Sequence, residues 1–153
     1  MKRKHKRCIY KTQKREQSRG FKCCNCKMQI AIHQFMGTAN RNHCNVCLWS
    51  RHVDINKGDR KADCKSGMKP IALTFKNEGI KQGEIMLVHK CTGCSKISIN
   101  RIAADDIEAV VLDVYNKSLK IEPDMRGQLL TQKIKIAQKS DEKEVKGQLY
   151  GYI

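Results

Sequence analysis

The hydrophobic pattern along this chain changes period as it runs. Ile71-Ala72-Leu73-Thr74-Phe75 places its large apolar side chains at odd positions, the two-residue period of a strand with one buried face. Gly79 and Gly83 punctuate the connection to Glu84-Ile85-Met86-Leu87-Val88, the expected partner strand. Cys91-Thr92-Gly93-Cys94 reads as a turn ahead of Lys96-Ile97-Ser98-Ile99, and Cys23–Cys26 is likewise followed by Gln29-Ile30-Ala31-Ile32. Both stretches predict hairpins with a cysteine pair at the bend. Beyond Asp105-Asp106, read as a helix start, apolar residues at Ile107, Val110, Val111 and Val114 follow the i, i+3, i+4, i+7 set of an amphipathic helix. Pro123 breaks what precedes it; Gln128–Lys139 fits a short helix or a strand, and Ser140–Lys146 is polar and expected to be mobile.

Composition changes this picture in one respect. The 153 residues suffice for one ordinary domain with tails, yet they include only three Phe, one Trp and four Tyr. Few large side chains are available to bury, so a staple is expected in place of a large core. Nine cysteines are the material for it. No apolar run reaches the ~20 residues that cross a bilayer, and Met1-Lys2-Arg3-Lys4-His5-Lys6-Arg7 opens the chain without a signal-peptide segment. Secretion is therefore not expected, and a reducing, cytoplasmic setting favours metal over disulfides. A nuclear or organellar location follows instead if the basic start is an address.

The net charge of +16 is concentrated at the N-terminus. Residues 1–22 hold ten Lys and Arg against one Glu, residues 23–106 thirteen against seven, and residues 107–153 eight against seven. Three regions follow: a disordered basic arm (1–22), a cysteine-bearing domain (23–106) and a nearly neutral helical or mobile extension (107–153). Lys2, Arg3, Lys4, Lys6, Arg7 and Lys11 make the arm a candidate polyanion ligand, because Lys and Arg release condensed counterions from phosphates. The arm carries little apolar surface beyond Ile9 and Tyr10, which argues against a membrane face.

Three Cys-x-x-Cys pairs, Cys23/Cys26, Cys44/Cys47 and Cys91/Cys94, carry the candidate chemistry. A tight turn between two such cysteines aims both sulfurs at one centre and fills two corners of a zinc tetrahedron. Two sites need eight ligands. Cys64 is the seventh, and the eighth is sought among His43, His52 and His89, with His52 preferred for its spacing from Cys47. Cys8 and Cys24 are expected to be spectators. Two facing hairpin bends would pair Cys23, Cys26, Cys91 and Cys94 in a zinc-ribbon-like core, leaving Cys44, Cys47, His52 and Cys64 as the second site. A sequential grouping, Cys23, Cys26, Cys44 and Cys47 with the remainder together, is the alternative.

The string Arg41-Asn42-His43-Cys44-Asn45-Val46-Cys47-Leu48-Trp49-Ser50-Arg51-His52-Val53-Asp54 resembles the signature of the RNHCP family. The likeness continues through Gly58-Asp59-Arg60, Cys64, Gly67-Met68, Pro70-Ile71, His89-Lys90-Cys91 and Asn100-Arg101-Ile102-Ala103, covering about residues 21–106. It implies a small zinc-binding module found mainly in bacterial proteins and carries no defined activity with it. The family's proline after the first motif cysteine is Asn45 here. Lys27 and Ser95 stand where glycine usually follows a knuckle.

Arg41, Asn42 and His43 have two readings, as contacts to phosphate or bases and as braces around the thiolates. Asp54, Asp59 and Arg60 suggest a turn with a local ion pair. Arg51, Lys57, Lys61, Lys65 and Lys69 give Cys64 a basic neighbourhood, and Trp49 is either packed or a stacking platform. His52-Val53-Asp54 with Cys91-Thr92-Gly93-Cys94 loosely matches a zinc deaminase, but Asp54 replaces the catalytic glutamate and Lys90 the proline. No catalytic residue is assigned. The sequence predicts a small β-rich, zinc-stapled domain with a short C-terminal helix, holding two zinc ions and no small-molecule substrate. Its expected partner is RNA, including ribosomal RNA, met by the arm and by Arg41, His43, Arg51, Arg60 and Arg101. A DNA-binding protein, a protein-docking zinc adaptor and a metal nuclease are the alternatives.

Overall fold

The computed structural model describes residues 20–32, 41–78 and 81–151. Two short strands, β1 (Phe21–Lys22) and β2 (Gln29–Ile30), form one antiparallel hairpin. β3 (Ser50–Arg51), β4 (Gly67–Glu78), β5 (Lys81–Cys91) and β6 (Ile97–Arg101) form an antiparallel sheet in that order. Three helices follow: α1 (Glu108–Ser118), α2 (Pro123–Thr131) and, after a 3-10 turn at Lys139–Asp141, α3 (Glu142–Tyr150). The expected disordered arm, with Lys2 to Lys11 and Cys8, lies outside the described residues up to residue 19. Among the described residues no helix is long and apolar enough to cross a membrane.

The strand expected at 71–75 is longer and more deeply buried than its alternation suggested. Leu73 lies opposite Leu87 and Ala72 opposite Val88, so these neighbouring pairs point to opposite faces of the sheet. All four are fully buried. Leu73 and Leu87 pack with Val111, Val114 and Tyr115 of α1 and Val145 of α3. Ala72 and Val88 pack on the other side with Leu129 of α2, Ile134 and Ile136. Helices thus cover both faces of the hairpin.

The C-terminal region departs from the expected short helix with a mobile end. Ser140–Lys146 runs through the 3-10 turn into α3, and Val145 has no exposed surface. The turn is fixed locally, since the Gln138 N–H donates to the Asp141 carboxylate at 2.6 Å. Gln148 of α3 accepts from the Ile85 N–H and donates to the Gly83 carbonyl, binding the helix to β5. Tyr115 donates to the Gln138 carbonyl at 2.8 Å. A polar sequence hid this helix because only Val145 and Gly147 of its residues are buried.

Candidate metal centres

Each cysteine pair sits on a knuckle of the same construction. Cys23, Cys44 and Cys91 donate their N–H groups to the Met28, Trp49 and Lys96 carbonyls, and accept at their own carbonyls from Lys27, Leu48 and Ser95. Those three residues lie in the left-handed region, with φ of 64°, 63° and 63°. Glycine is therefore not required at the turn: side chains without a branch at Cβ occupy it, each bearing the ~1–2 kcal/mol cost of that conformation. Backbone N–H groups then reach the first sulfur of each pair, Asn25 to Cys23 at 3.4 Å, Val46 to Cys44 at 3.3 Å and Cys94 to Cys91 at 3.5 Å.

The knuckles assemble into two clusters, Cys23, Cys26, Cys44 and Cys47 in one, and His52, Cys64, Cys91 and Cys94 in the other. In each, the ligand atoms lie within 4.8 Å of one another. Cys23 and Cys47 sulfurs are 3.5 Å apart, Cys26 and Cys44 3.6 Å, and Cys64 and Cys91 3.6 Å. A zinc tetrahedron with bonds of about 2.3 Å has edges near 3.8 Å, whereas a disulfide would bring sulfurs to about 2.05 Å. The clusters fit two zinc sites. His52 presents Nδ1 at 3.2 Å from the Cys94 sulfur.

The expected ribbon pairing of Cys23/Cys26 with Cys91/Cys94 is corrected here; the grouping is sequential. Strand register is the reason. Met68 pairs with Cys91, and Gly67 pairs with Arg51, so the start of β4 sits between the Cys91 knuckle and β3. The 52–66 loop folds back on itself, His52 N–H to the Ser66 carbonyl and Lys65 N–H to the His52 carbonyl. His52 and Cys64 are thereby delivered to Cys91. Cys44 and Cys47, on a turn closed by the His43–Ser50 bridge, face the β1–β2 bend instead.

Without a cation neither cluster can carry all its charge. Burial pushes the Cys44 thiol up to about 12. Burial also opposes ionisation of Cys23, but hydrogen bonds from the Cys26 and Asn25 backbones and the Cys47 side chain outweigh it and bring this thiol to about 7. Hydrogen bonds from Ser66 and His52 pull Cys64 down to about 6. A divalent ion resolves the conflict, because coordination displaces the thiol protons. Seven thiolates and two zinc ions then lower the formal charge from +16 to about +13.

The other two histidine candidates are not ligands. His89 is fully buried, donates from Nε2 to the Leu48 carbonyl at 2.7 Å and accepts at Nδ1 from Asn100 at 2.9 Å. Burial holds it down at about 4, so it is neutral and joins β5 and β6 to the Cys44 knuckle. His43 Nε2 contacts the Asp106 carboxylate at 2.8 Å.

That contact belongs to a buried network that corrects two expectations. Arg41 and His43, expected on a nucleic-acid surface, are only 2% and 1% exposed. Arg41 donates from Nε to the His43 carbonyl, from Nη1 to both Asp105 oxygens at 2.7 Å, and from Nη2 to Asp106 at 3.3 Å. Asp106 also accepts from the Ala103 N–H at 2.8 Å. The network clamps the loop before the Cys44 knuckle to the segment that starts α1. The Asp105-Asp106 dipeptide was visible in the sequence, but reading it as a helix start concealed its partners.

The other cationic candidates among the described residues are at the surface. Arg51 is exposed and donates to the Lys65 carbonyl. Arg60 is exposed and reaches Asp54 at 3.4 Å, and Arg101 pairs with Glu84 at 3.0 Å. Asp54 and Asp59 accept turn N–H groups from Gly58, Arg60, Ile55, Asn56 and Lys61, the local turn expected there. Trp49 is half-buried, packed with the first cluster.

Gly93 is a test of the second cluster. A Cβ there would lie 2.3 Å from the Ser66 hydroxyl oxygen, 2.9 Å from the Ser66 Cβ and 3.2 Å from the Cys64 sulfur. Gly93→Ala is expected to displace Cys64 and reduce bound zinc from two ions to one, counted by native mass spectrometry. Two retained ions of unchanged affinity would show that Ser66 yields without moving Cys64.

A family model described as RNHCP domain matches residues 18–112. No curated protein and no solved structure matches the chain.

Proposed function

Because the chain belongs to the RNHCP domain family and folds around two clusters that fit zinc, we propose that it is a non-enzymatic RNA-binding module with ribosomal RNA as its class of partner. In this reading the ribbon-like hairpins are a scaffold. The arm follows the phosphate backbone while Arg51, Arg60 and Arg101 meet the RNA from the folded part. The observation that carries it is an excess of exposed cations, five Lys and Arg against three Asp between residues 51 and 65. Arg51 of β3 and Lys57, Lys61 and Lys65 of the loop that supplies His52 and Cys64 are all exposed, and none has an ion-pair partner among the described residues. They add to the charge that the first 22 residues carry. Folded RNA offers grooves and single-stranded loops that accept such basic extensions.

Four protein ligands at each cluster support a structural role, since catalytic zinc usually keeps one position for water. The test is the salt dependence of RNA affinity. Each phosphate contact contributes a log–log slope of about −0.7 on single strands. Deleting residues 2–19, which leaves β1 intact, removes nine Lys and Arg and is expected to flatten the slope markedly. An unchanged slope would overturn the role of the arm. RNA affinity insensitive to salt would favour a protein-docking adaptor, and tighter binding of duplex DNA would reassign the partner.

A further inference from the structure

One pocket lies beside the second cluster, between β6 and the 53–57 loop, with His52 in its wall. Lys96 Nζ donates to the Ile55 carbonyl at 2.7 Å and holds that loop against the start of β6. The pocket is therefore built into the fold. Its volume is about 140 Å³, close to that of a cavity that admits one benzene-sized ring.

Three kinds of group in its lining are open to a ligand; a fourth, the Asp54 carboxylate, is taken up by the Gly58 and Arg60 N–H groups and the Arg60 side chain. Asn42 and Asn56 line it with side-chain amides that have no hydrogen-bond partner among the described residues. Asn100 commits its Nδ2 to His89 and Ser98, leaving Oδ1 as an acceptor. Ile55, one of the large apolar side chains left exposed among the described residues (56%), supplies apolar surface to its lining. Arg51 and Lys57 supply positive charge. A simple anion would use the cations and leave the amides and Ile55 idle. A purely apolar ligand would cover the amides and leave them unsatisfied.

We propose that this pocket receives the base of one unpaired nucleotide, its edge read by the Asn42, Asn56 and Asn100 amides and its phosphate held by Arg51 and Lys57. The Asn42 and Asn56 amides each offer a donor and an acceptor and Asn100 adds an acceptor, matching the mixed edge of a base, while the Ile55 side chain covers a planar ring. This deepens the RNA reading and rests on it for the source of the nucleotide, although a free nucleotide presents the same chemistry.

The test uses the full chain with both zinc sites loaded. Uridine 5′-monophosphate is titrated against amide resonances, and a uridine-rich single strand is compared with the same sequence in duplex. Resonances of residues 53–57 and 96–100 are expected to shift. The single strand is expected to bind at least about tenfold tighter than the duplex, whose bases are held in the stack. Asn56→Ala, which spares the Asn56 N–H bond to Asp59, is expected to weaken the single strand about fivefold, the loss of one hydrogen bond. Ser98→Met, filling the pocket, is expected to do at least as much, with two zinc ions retained and duplex affinity unchanged.

Equal affinity for strand and duplex, with no effect of either variant and no monophosphate shifts, would overturn the pocket while leaving RNA binding in place. Monophosphate shifts at these residues without affinity for any RNA would uphold the pocket and overturn the RNA reading. Absence of both would remove both.

Discussion

Withdrawing zinc with a chelator is expected to unfold residues 20–66 while most of the helical signal survives. The division follows from where apolar surface lies. Around the first cluster the buried residues are Cys23, Ile30 and Cys44, with Phe21, Val46 and Trp49 packed at their margin. Cysteine itself forms much of that core, so removing the ion removes the reason for the side chains to converge. Structural zinc contributes on the order of 10–16 kcal/mol in small fingers, against about 5–15 kcal/mol for the net stability of a whole domain. By contrast Leu73, Leu87, Val111, Tyr115 and Val145 pack together without a metal ligand among them. Trp49 is the only tryptophan and reports on the cysteine-rich half alone. Its emission should move to the red on chelation, with far-UV dichroism near 222 nm reduced only modestly. Unchanged emission from metal-free protein would refute the support assigned to the first ion.

Replacing Asp106 with alanine is expected to cost about 3–5 kcal/mol, because it leaves the buried Arg41 guanidinium and the His43 ring short of their shared carboxylate. Arg41→Ala should fall in the same range, since Asp106 then loses its cation in a site that is 1% exposed. Arg41→Lys is not a rescue. A single ammonium cannot reproduce the fork that meets the His43 carbonyl, Asp105 and Asp106 together. Thermal unfolding of the zinc-loaded variants measures the loss. Their RNA affinity, taken at a temperature where they remain folded, should match that of the unmodified chain. A variant with normal stability and weakened RNA binding would return Arg41 to the interface.

The metal ligands were legible in the sequence because their chemistry is written in spacing. Cys-x-x-Cys announces a knuckle, and His52 stood at a usable distance from Cys47. How the pairs combine was not legible from spacing, since it depends on register. Met68 meets Cys91 only when β4 and β5 run their full length, and the alternation at 71–75 showed less than half of β4. The scarcity of aromatics predicted a chain without a proper core, which holds for the cysteine-rich half alone. Val111, Leu129, Ile136 and Val145 come from four separate segments of the tail, and no local window shows that they close on one hairpin. Arg41 and His43 illustrate the opposite error. A basic pair in a polar motif suggested a surface, but two acidic residues more than sixty positions away draw it inside.

Sequential grouping of the ligands also orders events in time. Every ligand of the first ion has been synthesised once Cys47 is made, before Cys64, Cys91 or Cys94 exists. The nascent chain can therefore capture one metal ion while its C-terminal half is still untranslated, and the second must wait for the β5–β6 hairpin. An interleaved arrangement would have kept Cys23 and Cys26 as free thiols until Cys94 emerged, exposed throughout to oxidation and to mispairing.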